Sequence, residues 1–424
     1  MISKRLLSFI SGFTVAAVFS AGINVYATDK TAEIRETQDW SVPGEYPVTT
    51  ESTEWASMSY VQCLETCEMP EELLYESSTE VLAKYVLEYP FLGDILIFDT
   101  AGEAITHLSN TSNICREFFS RDDAEEILLK EYDLLSVDYN DLFDSESNNP
   151  MVESGYAKEL FLQTFFSYSL KNLSEQNTEA LKQILSDKYE AKKGICEDFA
   201  TSMLFYELVQ EDLEYVPEEV VAEEMYEAFN SDVSVYAGAI GFVSSGKYYA
   251  APNKATYLVG TYMKYDRAPV CFRYYSGEFS DTEVALADKN MYDSHRSWSK
   301  VRSASKKYNC HSYAWITTDE SNRYWLGNPD YYANSKYFDC TGTNCSANAG
   351  DKIIIRDYDT ADDGYSGSMD ASHSLIVTSY GAGVTSIQTE SKLGNYGVYR
   401  ASLFDMMIFY SGASYDVYQN VYSS

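Results

Sequence analysis

The chain has 424 residues and carries 65 acidic against 31 basic side chains, for a net charge of −34 with only four histidines. So acidic a protein is repelled by nucleic acid and by anionic membranes, which speaks against either as a partner. Its length and its apolar content of 45% suit two or three globular domains with a sizeable core.

Lys4 and Arg5 precede the apolar run "LLSFISGFTVAAVFSAGI", and "VYA" closes on Ala27. A basic start, a short apolar stretch and small residues at the end predict a signal peptide over 1–27. Its removal would take away two cations and leave an exported chain without a membrane anchor. Residues 28–55 are polar and without period, and read as a linker.

From 56 to 230 the pattern is helical and predicts an all-α domain. In "SSTEVLAKYVLEYP" Ser77 and Glu80 suggest a capping box. An apolar face follows at Val81, Leu82, Tyr85, Val86 and Tyr89, and Pro90 ends the helix. "RDDAEEILLKEYDLL" opens with acids in its first turn, as helix N-termini favour. "AKELFLQTFFSYSLKNL", "TEALKQILSDKY" and, after Pro217, "EEVVAEEMYEAF" continue the series. His107 and, further on, His295 read as surface or linker residues. "GICEDFATSML" places Cys196 at a helix start, which superficially resembles the nucleophile segment of transglutaminase-like proteases and otherwise reads as core.

Near Ser231 the composition turns to Val, Tyr, Gly and Thr, which predicts a β-rich bridge over 231–290. From 291 to 424 the order is a short helix at Cys310, then strands "KIIIRDY", "HSLIVTSY", "VTSIQTE" and "VYRASLF". The class is α+β: an N-terminal all-α domain, a bridge, and a C-terminal helix with an antiparallel meander. The composition change predicts that the helical and C-terminal regions fold as separable units.

Eight cysteines in an exported chain invite disulfides, and Cys340 with Cys345 in "CTGTNC" is the best-spaced pair. Cys63 and Cys67 share a helix face, which suits a bridge poorly. No CxxC or histidine cluster suggests zinc, and the acidic loop Asp357–Asp370 fails the spacing of a calcium-binding EF-hand. No cofactor is expected.

Cys310 has the context of a nucleophile. Asn309 can cap the helix that starts there, and a helix N-terminus favours a thiolate. A base and a group to orient it are also needed. His373 opens the strand "HSLIV". A hairpin centred on Gly381 and Ala382 sets Glu390 opposite His373, where its carboxylate orients the imidazole; Gln388 is the alternative if the register slips. His311, next to Cys310, reads as a packing residue or a local hydrogen-bond partner.

A cysteine on a helix, a "GD" turn into a strand and a histidine on the next strand resemble the papain-like superfamily of secreted thiol hydrolases, such as NlpC-type and CHAP peptidases, over about 291–424. A closer resemblance is to a group of exported proteins of anaerobic Firmicutes. It rests on Tyr308–Trp315 ("YNCHSYAW"), "YWLGNPDYY", Gly350–Ile355, "HSLIV" and "SKLGNYGVYRA". Leu393 stands where that group has Trp, Ala401 stands where a His is common, and no Gln precedes Cys310 as an oxyanion donor. The resemblance implies a thiol amidase or peptidase acting on a peptide or amide substrate through Cys310, His373 and Glu390. The alternative is a secreted, non-catalytic binding protein that retains the same core.

Overall fold

The computed structural model describes residues 39–98, 101–139, 155–192, 204, 208–209, 278–315, 318–322, 338–358 and 369–420, with strand backbones at 240–250, 256–264, 269–274 and 324–326. The leader, "GICEDFATSML" apart from Leu204, the helix expected after Pro217 and most of the acidic loop 357–370 lie outside these residues.

The linker expected over 28–55 is partly folded. Tyr46 is buried, donates its hydroxyl to the Tyr85 carbonyl at 3.0 Å, and packs with Trp40 and Tyr85. The helical layer follows as α1 (Thr53–Ser57), α2 (Tyr60–Thr66), α3 (Glu71–Glu76) and α4 (Thr79–Leu87). The cap of α4 is Ser78, one residue beyond the expected Ser77, which instead ends α3. Leu82, Tyr85 and Val86 form the buried face of α4, as their spacing requires. A 3-10 turn at Leu92–Ile97 leads into α5 (Ala101–Thr111), α6 (Asn113–Phe119), α7 (Ala124–Leu134), α8 (Tyr156–Ser169) and α9 (Glu175–Lys192).

The expected bridge supplies three antiparallel strands, β1 (Ile240–Ala250), β2 (Thr256–Lys264) and β3 (Pro269–Tyr274). It does not stay β-rich to 290, because α10 runs over Asp281–Ser294. Ser280 and Glu283 form a capping box there, a local signal strong enough to start a helix after the strands. The chain continues through β4 (Ser299–Arg302), α11 (Cys310–Trp315) and β5 (Tyr324–Leu326), which joins β3. Then come β6 (Phe338–Thr343), β7 (Lys352–Tyr358), β8 (Met369–Ser379), β9 (Gln388–Lys392), β10 (Val398–Ser402), α12 (Leu403–Phe409) and β11 (Ser414–Asn420).

Among the described residues, seven strands form one antiparallel sheet in the order β4-β10-β9-β8-β7-β11-β6. The β7 to β10 meander has the order the sequence predicts, but β9 starts at Gln388 and not at Val384, and the chain turns helical at Leu403. The mixture of helices and antiparallel sheets is α+β. Gly350, at φ +92°, makes the turn into β7, a conformation that glycine adopts without a Cβ penalty.

One apolar core runs from Tyr46 through the helical layer to Val417 in β11. The two regions expected to be separable therefore share it. Trp55 of α1 is buried and its indole N–H donates to the Asp293 carbonyl on α10 at 3.1 Å. Tyr396, in the β9–β10 turn, donates to the Gly93 carbonyl at 2.9 Å. Cys63, Cys67, Cys115, Cys310, Cys340 and Cys345 are all unbridged, so the expected Cys340–Cys345 disulfide is not formed. Burial pushes the thiols of Cys63 and Cys115 up to about 12, as inert core cysteines require.

Candidate functional site

Helix α11 starts at Cys310 for a local reason. The Asn309 side chain accepts the Ser312 N–H at 3.1 Å, and its carbonyl accepts the Tyr313 N–H at 3.0 Å. All six residues of the helix are buried. The helix lies against β8 and β9 and is fixed there by side chains on one sheet face. Ser374 is the central one. It accepts the Trp315 indole N–H at 2.9 Å, and its hydroxyl is 2.8 Å from His311 Nδ1. His311 is thus held by a hydrogen bond across the fold to β8, where a local partner or simple packing was expected.

Further bonds hold the same helix. The Lys352 amine donates to the Ala314 carbonyl, at the helix end where a cation is favoured, and lies 5.3 Å from the Trp315 ring. Burial pulls that amine down to about 8. Lys392 is fully buried. Its amine donates to the carbonyls of Ser305 (2.8 Å) and Gly394 and sits 5.1 Å from the Tyr308 ring, which ties the segment before Cys310 to β9.

Glu390 has a different role from the expected one. The β8–β9 connection through 380–387 is longer than a tight hairpin and sets Gln388 opposite Ser379, and a bulge between Val377 and Ser379 takes up one more residue, so Glu390 pairs with Ile376 and not with His373. A slip of three residues is odd, and an odd slip moves a side chain to the other face. Glu390 accepts the Tyr313 hydroxyl and, at 2.8 Å, the Arg400 Nε–H, and burial, followed by the hydrogen bond to Glu390 and its charge, raises the Tyr313 phenol. Gln388, the alternative, pairs with Ser379 and Ser402 and is exposed.

His373 lies on the opposite face from α11. Adjacent strand residues alternate, and Ser374 already faces the helix. The His373 ring stacks on Tyr410 with centroids 3.8 Å apart and planes at 13°, and its Nε2 is 3.0 Å from the Ser391 hydroxyl. Burial, and then the charge of His311, hold its imidazole well below the usual histidine range. The structure brings Cys310, His311, Ser374 and Trp315 together on one face, Tyr313 and Glu390 beside them, and leaves His373 with Ser391 and Tyr410 behind the sheet. Ser374, Ser391 and Tyr410 were not singled out from the sequence. The period-two alternation of "SHSLIV" is the signal that His373 and Ser374 part company.

Replacing Ser374 with Ala removes the acceptor of the Trp315 N–H in a fully buried position. A loss of about 1–3 kcal/mol in urea unfolding is expected. A change within about 0.5 kcal/mol, typical of uninvolved surface positions, would count against Ser374 as the anchor of α11.

The remaining histidines are not on the surface, contrary to their sequence reading. His295 and His107 are both buried and flank the fully buried Asp94. Among the described residues no group of three His, Cys, Asp or Glu side chains is arranged to hold a metal ion, and no helix is long and apolar enough to cross a membrane. Comparison with known protein families, curated proteins and solved structures gives no match.

Proposed function

We propose that this is an exported, non-catalytic binding or surface-interaction protein that keeps a papain-like helix-and-sheet layout as a scaffold. The observation that carries this reading is His373. A thiol hydrolase needs its imidazole within hydrogen-bond reach of the sulfur, with enough basicity to take the proton. Here the imidazole of "HSLIV" is engaged by Ser391 and Tyr410 on the face away from α11, and burial keeps it a weak base. The carboxylate expected to orient it is engaged by Tyr313 and Arg400. The missing Gln before Cys310 and the substitutions Leu393 and Ala401 agree with a core that has lost its chemistry.

A second reading is a thiol amidase. One observation favours it: Cys310 heads a capped helix, a position suited to a nucleophile. In that reading Cys310 attacks an amide carbonyl, an imidazole takes the thiol proton and returns it to the leaving amine, and water hydrolyses the thioester.

Alkylation separates the two, because the chain contains its own reference thiol. Cys340 is exposed while Cys310 is buried. Treating the intact protein with iodoacetamide at neutral pH and mapping the labelled peptides should show Cys310 reacting more slowly than Cys340, with His373→Ala leaving that order unchanged. Fast labelling of Cys310 that His373→Ala slows would overturn the scaffold reading and support the amidase.

A further inference from the structure

The 3-10 turn at Leu92–Ile97 belongs to the helical layer by sequence, yet several of its polar groups bond to the C-terminal region. The Pro90 carbonyl accepts the Ser294 hydroxyl at 3.3 Å, and the Gly93 carbonyl accepts the Tyr396 hydroxyl at 2.9 Å. Asp94 Oδ1 is 2.8 Å from His295 Nε2. Leu92, Gly93, Asp94, Ile95 and Ile97 are all buried. The three aliphatic side chains lie in one core with Ile353, Ile355, Leu375 and Val377, which line the sheet face opposite α11. The fit is closest at a glycine. A Cβ on Gly93 would stand 2.3 Å from the Asn290 amide nitrogen on α10, and that amide donates to Tyr396 at 2.8 Å. Beside the turn, His107 Nδ1 lies 2.7 Å from the Phe409 carbonyl and Asn110 donates to Ser411 at 2.9 Å, so α5 reaches the end of α12 as well.

We infer that residues 90–98 are a docking plug that binds the helical layer to the C-terminal region tightly enough to hold the two together without a covalent link between them. The junction has the make-up of an obligate interface, a core shared by both sides with polar bonds placed across it. Apolar burial supplies the affinity, because parting the two regions would bare the isoleucines, leucines and valine of the sheet face to water. The polar bonds fix the register. The Asn290, Tyr396 and Gly93 chain is directional, and Gly93 leaves no room for a shifted arrangement. The C-terminal region is on this account a receptor for the plug and not a module that folds by itself. The plug sits on the face away from α11, so the inference holds whether the Cys310 side binds or cleaves.

A specific protease site inserted between Asn230 and Ser231 of the full chain tests the plug. After cleavage the two pieces should elute together, at the size of the uncut protein, and should unfold in urea in a single transition. Gly93→Ala in the same background displaces Asn290 from Tyr396, and should weaken the association by about tenfold or more, read from dilution of the cut protein. Pieces that part, with the C-terminal one still unfolding cooperatively, would overturn the inference, and so would a cut protein that Gly93→Ala leaves equally tight. Should Gly93→Ala fail to fold, Tyr396→Phe replaces it, since it removes only the hydroxyl that joins Asn290 to Gly93; a smaller loss is expected, and none at all would count against the plug. If the inserted site resists cleavage, hydrogen exchange of the uncut wild type decides. Amides of 79–87 in α4 and 373–377 in β8 should open together, with one free energy and one urea dependence, whereas two distinct values would show two independent units and overturn the plug.

Discussion

Gly394→Ala is expected to destabilise the protein by about 3–5 kcal/mol, the sum of overpacking and left-handed backbone strain. Gly394 lies in the turn between β9 and β10 at φ +45°, and a Cβ there would stand 1.9 Å from the Ile97 carbonyl oxygen and 2.5 Å from its carbon. The obstacle is backbone, so no side-chain rotation relieves it. The same contact joins the sheet to the 3-10 turn beside Asp94, and it is held by Tyr396, which donates to the Gly93 carbonyl and accepts from Asn290 at 2.8 Å. The turn therefore cannot retreat without breaking a buried polar chain. Urea unfolding measures the effect. A loss below about 1 kcal/mol would show that the turn yields and that this close approach is not a tight constraint.

Lys192→Met should have a comparable effect at the other end of the helical layer. Glu159 is fully buried on α8, and its carboxylate is 3.0 Å from the nearly buried Lys192 amine. Tyr139 donates to it at 2.9 Å and Gln163 at 3.0 Å, and Gln163 also donates to the Tyr132 hydroxyl at 3.2 Å. Removing the amine leaves a carboxylate inside the core with neutral donors only, and breaking such a pair costs about 3–5 kcal/mol. The double replacement Glu159→Leu with Lys192→Met removes both charges and should recover part of the loss. A single Lys192→Met variant as stable as wild type would mean that water reaches Glu159.

Helix starts were legible wherever a cap and an apolar stripe are adjacent in sequence. Asn309 before Cys310 and the face of Leu82, Tyr85 and Val86 were read correctly, because capping and burial periodicity act within one or two turns. The capping box at Ser280 and Glu283 carried the same information and could have revealed α10. The strands "KIIIRDY" and "HSLIV" were legible for the same local reason. The four residues of β4 were not, since so short a segment holds no alternation to read.

The candidate site failed where the answer depended on parity and distance. A bulge between Val377 and Ser379 gave the β8–β9 register its odd offset, and that moved Glu390 from the expected face to the Tyr313 side. Nothing near His107 or His295 in sequence announces burial. They meet Asp94 only because α5, α10 and the 3-10 turn converge on the end of α12. The sequence by itself determined the helices whose caps adjoin an apolar stripe, the strands at "KIIIRDY" and "HSLIV", and that an α+β chain results, since those choices rest on local hydrogen bonding and apolar content. The tertiary structure decided which sheet face His373 occupies and which charges share a core, since strand register and long-range packing are set by contacts between residues far apart in the chain.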